Sequence, residues 1–161
     1  MLAPIEFGQA TRIVEFGPGT GPFTAEIGAR LKPGDRYLGI EINPAFCDAL
    51  RRRFPDLAFV CDSAERLSAI AATHGIAPID AIVCGLPWAS LPLDVQARIF
   101  AEMRGCLRPG GLFVTFAYLQ GVLLPGARAL RRRLAAEFDS MTRGAIVWRN
   151  IPPAFTYICR R

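Results

Sequence analysis

The sequence predicts an α/β fold: an open, doubly wound sheet of seven strands, mostly parallel, with a C-terminal antiparallel hairpin. Three observations predict it. Short apolar runs alternate with helix-patterned stretches along most of the chain, which implies parallel pairing through right-handed crossovers with helices on both faces. A glycine-rich turn, Gly17-Pro18-Gly19-Thr20-Gly21, follows the first run and leads straight into a helix. Acids stand at the ends of three successive runs, at Glu15, Glu41 and Asp62.

The first strand is expected over residues 12–17, ending in glycine. Residues 22–31 pattern as a helix, stopped by Lys32-Pro33-Gly34-Asp35. A second strand covers 37–41. Asn43 then caps a helix with Pro44 at its first position, running to residue 54. A third strand at 57–61, a helix at 64–73, a fourth strand at 79–84 and a helix at 93–107 follow. Arg108-Pro109-Gly110-Gly111 turns the chain into a strand over 112–118. The last third differs, with a helix at 127–138 and two strands, 144–149 and 154–160, joined by a tight turn at Asn150-Ile151-Pro152-Pro153.

Counting Gly as apolar and leaving out Tyr, 95 of 161 residues are apolar, about 59% against a typical 45–50%. That suffices for one buried core over residues 1–161 and excludes a disordered or low-complexity chain. The net charge of +5 is regional: residues 1–119 carry 11 basic and 12 acidic side chains, residues 120–161 carry 8 and 2. An anionic partner at one end would account for it, and so would a genome that encodes cationic surface as Arg. The 5 cysteines (Cys47, Cys61, Cys84, Cys106, Cys159) have no metal spacing and are expected reduced and buried, as in a cytosolic protein. No metal site is expected. The start of the chain lacks signal-peptide character. Gly110 to Ala127 is free of charge over 18 residues, but its glycines and Pro125 suit a buried strand and apolar loop better than a membrane span.

Glycine at 17, 19 and 21 lets the backbone turn tightly and lets a ligand approach without a Cβ in the way. Open α/β sheets bind ligands at the carboxyl ends of their strands. There Glu41 is placed to accept hydrogen bonds from ribose hydroxyls, and Asp62, followed by Ser63, to reach an adenine amino group. This constellation resembles the class I methyltransferases that use S-adenosylmethionine. The resemblance implies a Rossmann-like fold in which the loop holds the methionine portion of the cofactor, Glu41 the ribose and Asp62 the adenine. Glu15, Phe16, Gly17, Pro18, Gly19, Gly21, Ile42, Ser63 and Gly85 complete the expected cofactor contacts. S-adenosylhomocysteine is the product it implies.

The acceptor is read from the end of the fourth strand, Cys84-Gly85-Leu86-Pro87-Trp88. Enzymes that methylate adenine or glutamine amides place Asn or Asp first in an N-x-P-aromatic motif, to accept a hydrogen bond from a planar, poorly nucleophilic amino group. Gly85 stands there instead, which suits a primary amine with a free lone pair. Gly85 to Pro92 is similar to the G-L-P-x-x-x-x-P loop of bacterial phospholipid N-methyltransferases, relatives of the rRNA adenine dimethyltransferases. Val147 to Tyr157 resembles that family's end segment. The resemblance implies methylation of phosphatidylethanolamine to mono-, di- or trimethylated lipid, the last being phosphatidylcholine.

Leu86, Pro87, Trp88 and Tyr118 are the expected substrate contacts. Trp88, Tyr118, Trp148 and Tyr157 are candidate aromatic faces for a nitrogen that becomes quaternary, with core packing the alternative for each. Arg128, Arg131, Arg132 and Arg133, beside Val122-Leu123-Leu124, are expected to grip an anionic leaflet; a solvated helix face is the plainer reading of such a run. Only 11 residues precede Arg12, so the family's amphipathic N-terminal segment is expected to be missing and membrane binding weak. The expected protein is a monomer, cytoplasmic, peripheral on the inner face of the membrane, without a transmembrane segment or a nucleic-acid partner. RNA or protein methylation and a non-catalytic cofactor-fold module are the competing readings. His74 is the only histidine, and no catalytic residue is assigned.

Overall fold

Five strands run parallel: β1 (Arg12–Phe16), β2 (Arg36–Glu41), β3 (Ala58–Cys61), β4 (Ile79–Cys84) and β5 (Leu107–Tyr118). The computed structural model describes all 161 residues apart from the side chain of Ala89. It joins these strands to β6 (Ser140–Arg143) and β7 (Ala154–Arg160) in one sheet of order β3-β2-β1-β4-β5-β7-β6. β7 runs antiparallel to both β5 and β6. The expected seven-stranded, mostly parallel sheet with a closing antiparallel hairpin is what forms. From β1 the chain winds one way through β2 and β3, then restarts at β4 on the other side of β1. That reversal opens a crevice at the carboxyl ends of β1 and β4.

The strands alternate their side chains between two apolar layers, as the pleat requires. Val14, Phe16, Ile82 and Phe113 pack with residues of α3 (Leu67–Thr73), α4 (Leu93–Cys106) and α5 (Pro125–Glu137). Ile13, Ala81, Val83 and Leu112 pack on the other side with Ile27 of α1 (Pro22–Gly28), Leu50 of α2 (Pro44–Arg53) and the leading residues Leu2 and Ile5. Asn43 caps α2 as read from sequence, its Oδ1 accepting from Ala45 N at 2.9 Å, with Pro44 in the first turn.

The closing hairpin departs from the expected strand over 144–149. β6 covers Ser140–Arg143 instead, and its register with β7 carries on to the Gly144 N to Thr156 O hydrogen bond of 2.9 Å. The next bridge pairs Val147 with Ala154, a slip of one residue. Such a slip ends a ladder in the manner of a β-bulge, and Pro152 and Pro153 have no N–H with which to resume it. β5 begins at Leu107, earlier than expected, because Arg161 runs beside Gly110 and Gly111 and its N–H donates to Gly111 O at 3.1 Å. Residues 110–127 are shared among β5, a single 3-10 turn (Leu119–Gly121) and the start of α5. No described helix is long and apolar enough to cross a membrane.

Three aromatic and basic residues lie elsewhere than the sequence suggested. Trp88 is buried, stacked on Phe100 at 5.0 Å with its Nε1 donating to Thr115 Oγ1 at 3.2 Å. It anchors the loop after β4 to the helix layer and presents no face to a substrate. Tyr157 is buried edge-on against Phe155. Arg133 turns back from the surface: it lies 5.0 Å over the Phe100 ring and pairs with Glu137 at 3.5 Å, so it is not a membrane-facing residue. Four of the cysteines are buried as expected, whereas Cys61, at the end of an outer strand, is exposed.

Trp88→Ala is expected to lower unfolding stability by about 3–5 kcal/mol, the usual cost of emptying a large aromatic site, measured as a shift in urea midpoint. A loss below about 1 kcal/mol would place the indole outside the core.

Candidate active site

Three glycines shape the crevice. Gly17, Gly19 and Gly21 all have positive φ, at 62°, 58° and 83°, a region that costs other residues about 1–2 kcal/mol each. The G-x-G-x-G spacing is the sequence record of that backbone path. Gly85, from the far side of the switch point, donates its N–H to Phe16 O at 2.8 Å. A Cβ on Gly85 would lie 2.8 Å from Gly17 O. No Asn or Asp handle fits there while the loop keeps this path.

Glu41 closes the other side. Its Oε2 accepts from Gly19 N at 2.9 Å and its Oε1 from Asn43 N at 2.9 Å. Each oxygen keeps lone-pair capacity for a further donor. Ile42 beside it is exposed. Asp62, at the end of the neighbouring strand, is tied to Glu41 through Asp62 N to Glu41 O at 3.1 Å. Its carboxylate accepts from Ser63 N at 2.7 Å and pairs with Arg66 at 2.9 Å. Ser63 itself caps the following turn, accepting from Glu65 N at 3.2 Å.

A cleft of about 470 Å³ adjoins the loop, lined on one side by Gly17, Pro18, Gly19 and Gly85. Phe23, Phe116, Tyr118 and Phe155 line it as well. Phe116 meets Phe23 at 6.2 Å and Tyr118 edge-on at 5.4 Å. No acidic or basic side chain is among the lining residues. Of the four expected substrate contacts only Tyr118 lines this cleft. Leu86 is half-buried and packs on the core, Pro87 faces solvent and Trp88 is buried. The Phe16 side chain is core, and its carbonyl is taken up by Gly85 N. Sequence reasoning missed Phe116, although its spacing of two from Tyr118 on a strand puts both on one face. It missed Phe23 as well, the second residue of α1.

Glu15 sits beneath the loop rather than in the cleft. It is fully buried, its Oε2 accepting from Tyr37 Oη at 2.6 Å and Thr24 Oγ1 at 2.8 Å. Its Oε1 accepts from no described residue. Burial raises its pKa, against the two hydrogen bonds that lower it, and the Glu41 charge adds to the rise. Cys84, below Gly85, has its thiol pushed up to about 12 by burial and is inert as a nucleophile.

A family described as a methyltransferase domain matches residues 13–111, more than half of the chain. The chain belongs to the methyltransferases. The ornithine lipid N-methyltransferase of Singulisphaera acidiphila is 35% identical over 159 residues, which cover 97% of this chain and 79% of that protein. The O-methyltransferase of Bacillus cereus, solved with S-adenosylhomocysteine, is 17% identical with a TM-score of 0.74, covering 95% of this chain and 76% of that one. Aeropyrum pernix fibrillarin with natively bound S-adenosylmethionine is 16% identical with a TM-score of 0.71, covering 92% and 66%. These two show the fold alone.

The cofactor of this methyltransferase is S-adenosylmethionine, and the residues present fit it. Gly19 leaves open space where a side chain would stand, the nearest atom to an added Cβ being Gly17 O at 4.0 Å; Glu41 retains acceptor capacity, and Glu15 Oε1 is left for a donor from outside the chain, either water or the cofactor's ammonium.

Two outcomes test this site. Gly85→Asn is expected to weaken cofactor binding on the order of tenfold or more, since overpacking costs about 1–3 kcal/mol; calorimetry giving native affinity would refute the close approach. Glu15 keeps its proton to higher pH in the folded than in the unfolded chain. Its favourable contribution is therefore full below the ordinary carboxyl value and is lost as pH rises through the raised one. Glu15→Gln should stabilise the cofactor-free protein at neutral pH, by a margin that shrinks toward acid pH, while weakening cofactor binding. A lower neutral urea midpoint than native would contradict this.

Proposed function

We propose that the chain is an N-methyltransferase that moves methyl groups from S-adenosylmethionine to the primary amine of a membrane-lipid headgroup. One observation carries the reading: the cleft beside the cofactor loop is walled by aromatic rings, without an acidic or basic side chain, and packing holds Gly85 where amide and adenine methylases need a polar handle. The lipid N-methyltransferase relative supports the same acceptor class. Phosphatidylethanolamine is the acceptor that the Gly85 to Pro92 loop favours, with phosphatidylcholine as the end of the series. The relative's name makes ornithine lipid the second headgroup to test. Both present an aliphatic amine on a lipid, which places the protein peripherally at a membrane surface while it works.

The bound cofactor supplies an electrophilic methyl group on a sulfonium. The chain's own part is to hold, orient and exclude water. Gly17 to Gly21 and Glu41 fix the loop that cradles the cofactor. Phe23, Phe116 and Tyr118 strip water from the incoming amine, and their ring faces tolerate the cationic product that forms with each transfer. The acceptor nitrogen takes the methyl, and for a further transfer its proton goes to solvent.

Purified protein with labelled S-adenosylmethionine and vesicles containing either lipid is expected to give headgroup mass steps of successive methyl groups. Cofactor binding with neither lipid methylated, but RNA or protein labelled, would overturn the acceptor. Because no carboxylate or histidine lines the cleft, the rate at low acceptor concentration should rise about tenfold per pH unit up to the amine's own pKa. A break near neutral pH would instead reveal a protein base.

A further inference from the structure

The last 42 residues hold only two acids, Glu137 and Asp139, and Glu137 is engaged by Arg104 and Arg133. Large apolar side chains stand in solvent in the same region. Leu123 is 74% exposed, Leu124 59%, Trp148 68% and Ile151 95%. They belong to two segments that meet at the cleft mouth. Leu119 N donates to Pro153 O at 2.8 Å, and Ala154 pairs with both Tyr118 and Val147. Tyr118 and Val147 line the cleft and are themselves half-exposed, at 44% and 55%. The apolar patch is thus continuous with the interior of the site.

α5 supplies the charge. At about 100° per residue, Arg128, Arg131 and Arg132 fall within one sector of about 100° on this helix; all three are exposed, as is the N-cap Leu124, whereas Leu130 and Leu134 are buried. None of these three arginines has an acidic partner among the described residues. Arg149, next to Trp148, is exposed as well.

We propose that Leu123-Leu124 and Trp148 with Ile151 form an insertion rim that docks the cleft mouth onto an anionic lipid bilayer. Arg128, Arg131 and Arg132 lie against the headgroups. The inference rests on the lipid-acceptor reading for its occupant. The charge complementarity and the continuity of patch and cleft point to the same surface: apolar residues enter the acyl boundary, an indole settles at the interface and arginines meet anionic headgroups. A lipid amine then reaches the cleft without leaving the membrane.

The test uses the full chain with vesicles of phosphatidylcholine, with and without phosphatidylglycerol. Of the two tryptophans Trp88 is buried, so a blue shift of emission on vesicle binding reports Trp148. Binding is expected to need phosphatidylglycerol. Leu123→Ser with Leu124→Ser, and Trp148→Ser with Ile151→Ser, should each lower partitioning at least tenfold with cofactor affinity unchanged. Arg128→Gln with Arg131→Gln and Arg132→Gln should abolish the preference for anionic vesicles. No shift, no binding to either vesicle, or apolar variants that partition like the native chain would overturn the inference. Vesicle binding needs no turnover: rim-dependent binding without lipid methylation would leave the rim standing and remove the acceptor reading. Lipid methylation with rim-independent binding would do the reverse.

Discussion

Two backbones meet at the carboxyl ends of β1 and β4, and the geometry around the cleft depends on how closely they do so. Gly85 donates to Phe16 O, and its bare Cα lies against Gly17 O. That contact holds one end of the glycine loop. Glu41, accepting from Gly19 N, holds the other. The loop is suspended between β4 and β2, and three positive φ values carry it across. A Cβ at 85 would push the loop away from β4, and with it the amide that Glu41 accepts. One absent side chain therefore shapes the path of the glycine loop.

Beneath the loop the fold works against itself. Glu15 is a carboxyl enclosed by apolar strands, and burial without full compensation is costly. Tyr37 from β2 and Thr24 from α1 both donate to a single oxygen, which ties the strand, its neighbour and the following helix together but leaves the second oxygen unpartnered. Local conflict of this kind concentrates at functional sites. A donor from outside the chain would resolve it; were that donor the cofactor's ammonium, folding stability and cofactor affinity would be coupled through one residue.

The glycine loop was legible because only one residue type tolerates its backbone, and the strand-helix alternation because buried parallel strands leave unbroken apolar runs. Glu41 was legible from its place after the second run. What stayed hidden depended on partners far away in sequence. Ser140–Arg143 is too polar to read as a strand, and it pairs only because β7 offers an edge. Trp88 was expected at the substrate because it closes the motif after β4, yet Phe100 and Thr115 draw it into the core. Arg133 was read with its neighbours as one run, but helical periodicity separates it from Arg128 and Arg132 by more than a quarter turn and delivers it to Phe100 and Glu137. Phe116 and Phe23 carry no motif, and only the crossing of β5 over α1 makes them a wall.

The C-terminal third poses a question that folding energetics does not answer. Leu130 and Leu134 gain from burial and explain why α5 docks. Leu123, Leu124, Trp148 and Ile151 gain far less, since most of their surface stays in water after folding. Isolated exposed apolar residues are ordinary. These are not isolated: they border one opening, on two segments hydrogen-bonded to each other, in a region where every acid near α5 is already engaged or lies at its far end. An aqueous partner would leave the arginines hydrated and the indole uncovered. On the proposed docking, an anionic lipid surface would remove both from water in one contact and would present its amine on the side of the cleft that lies opposite the cofactor loop.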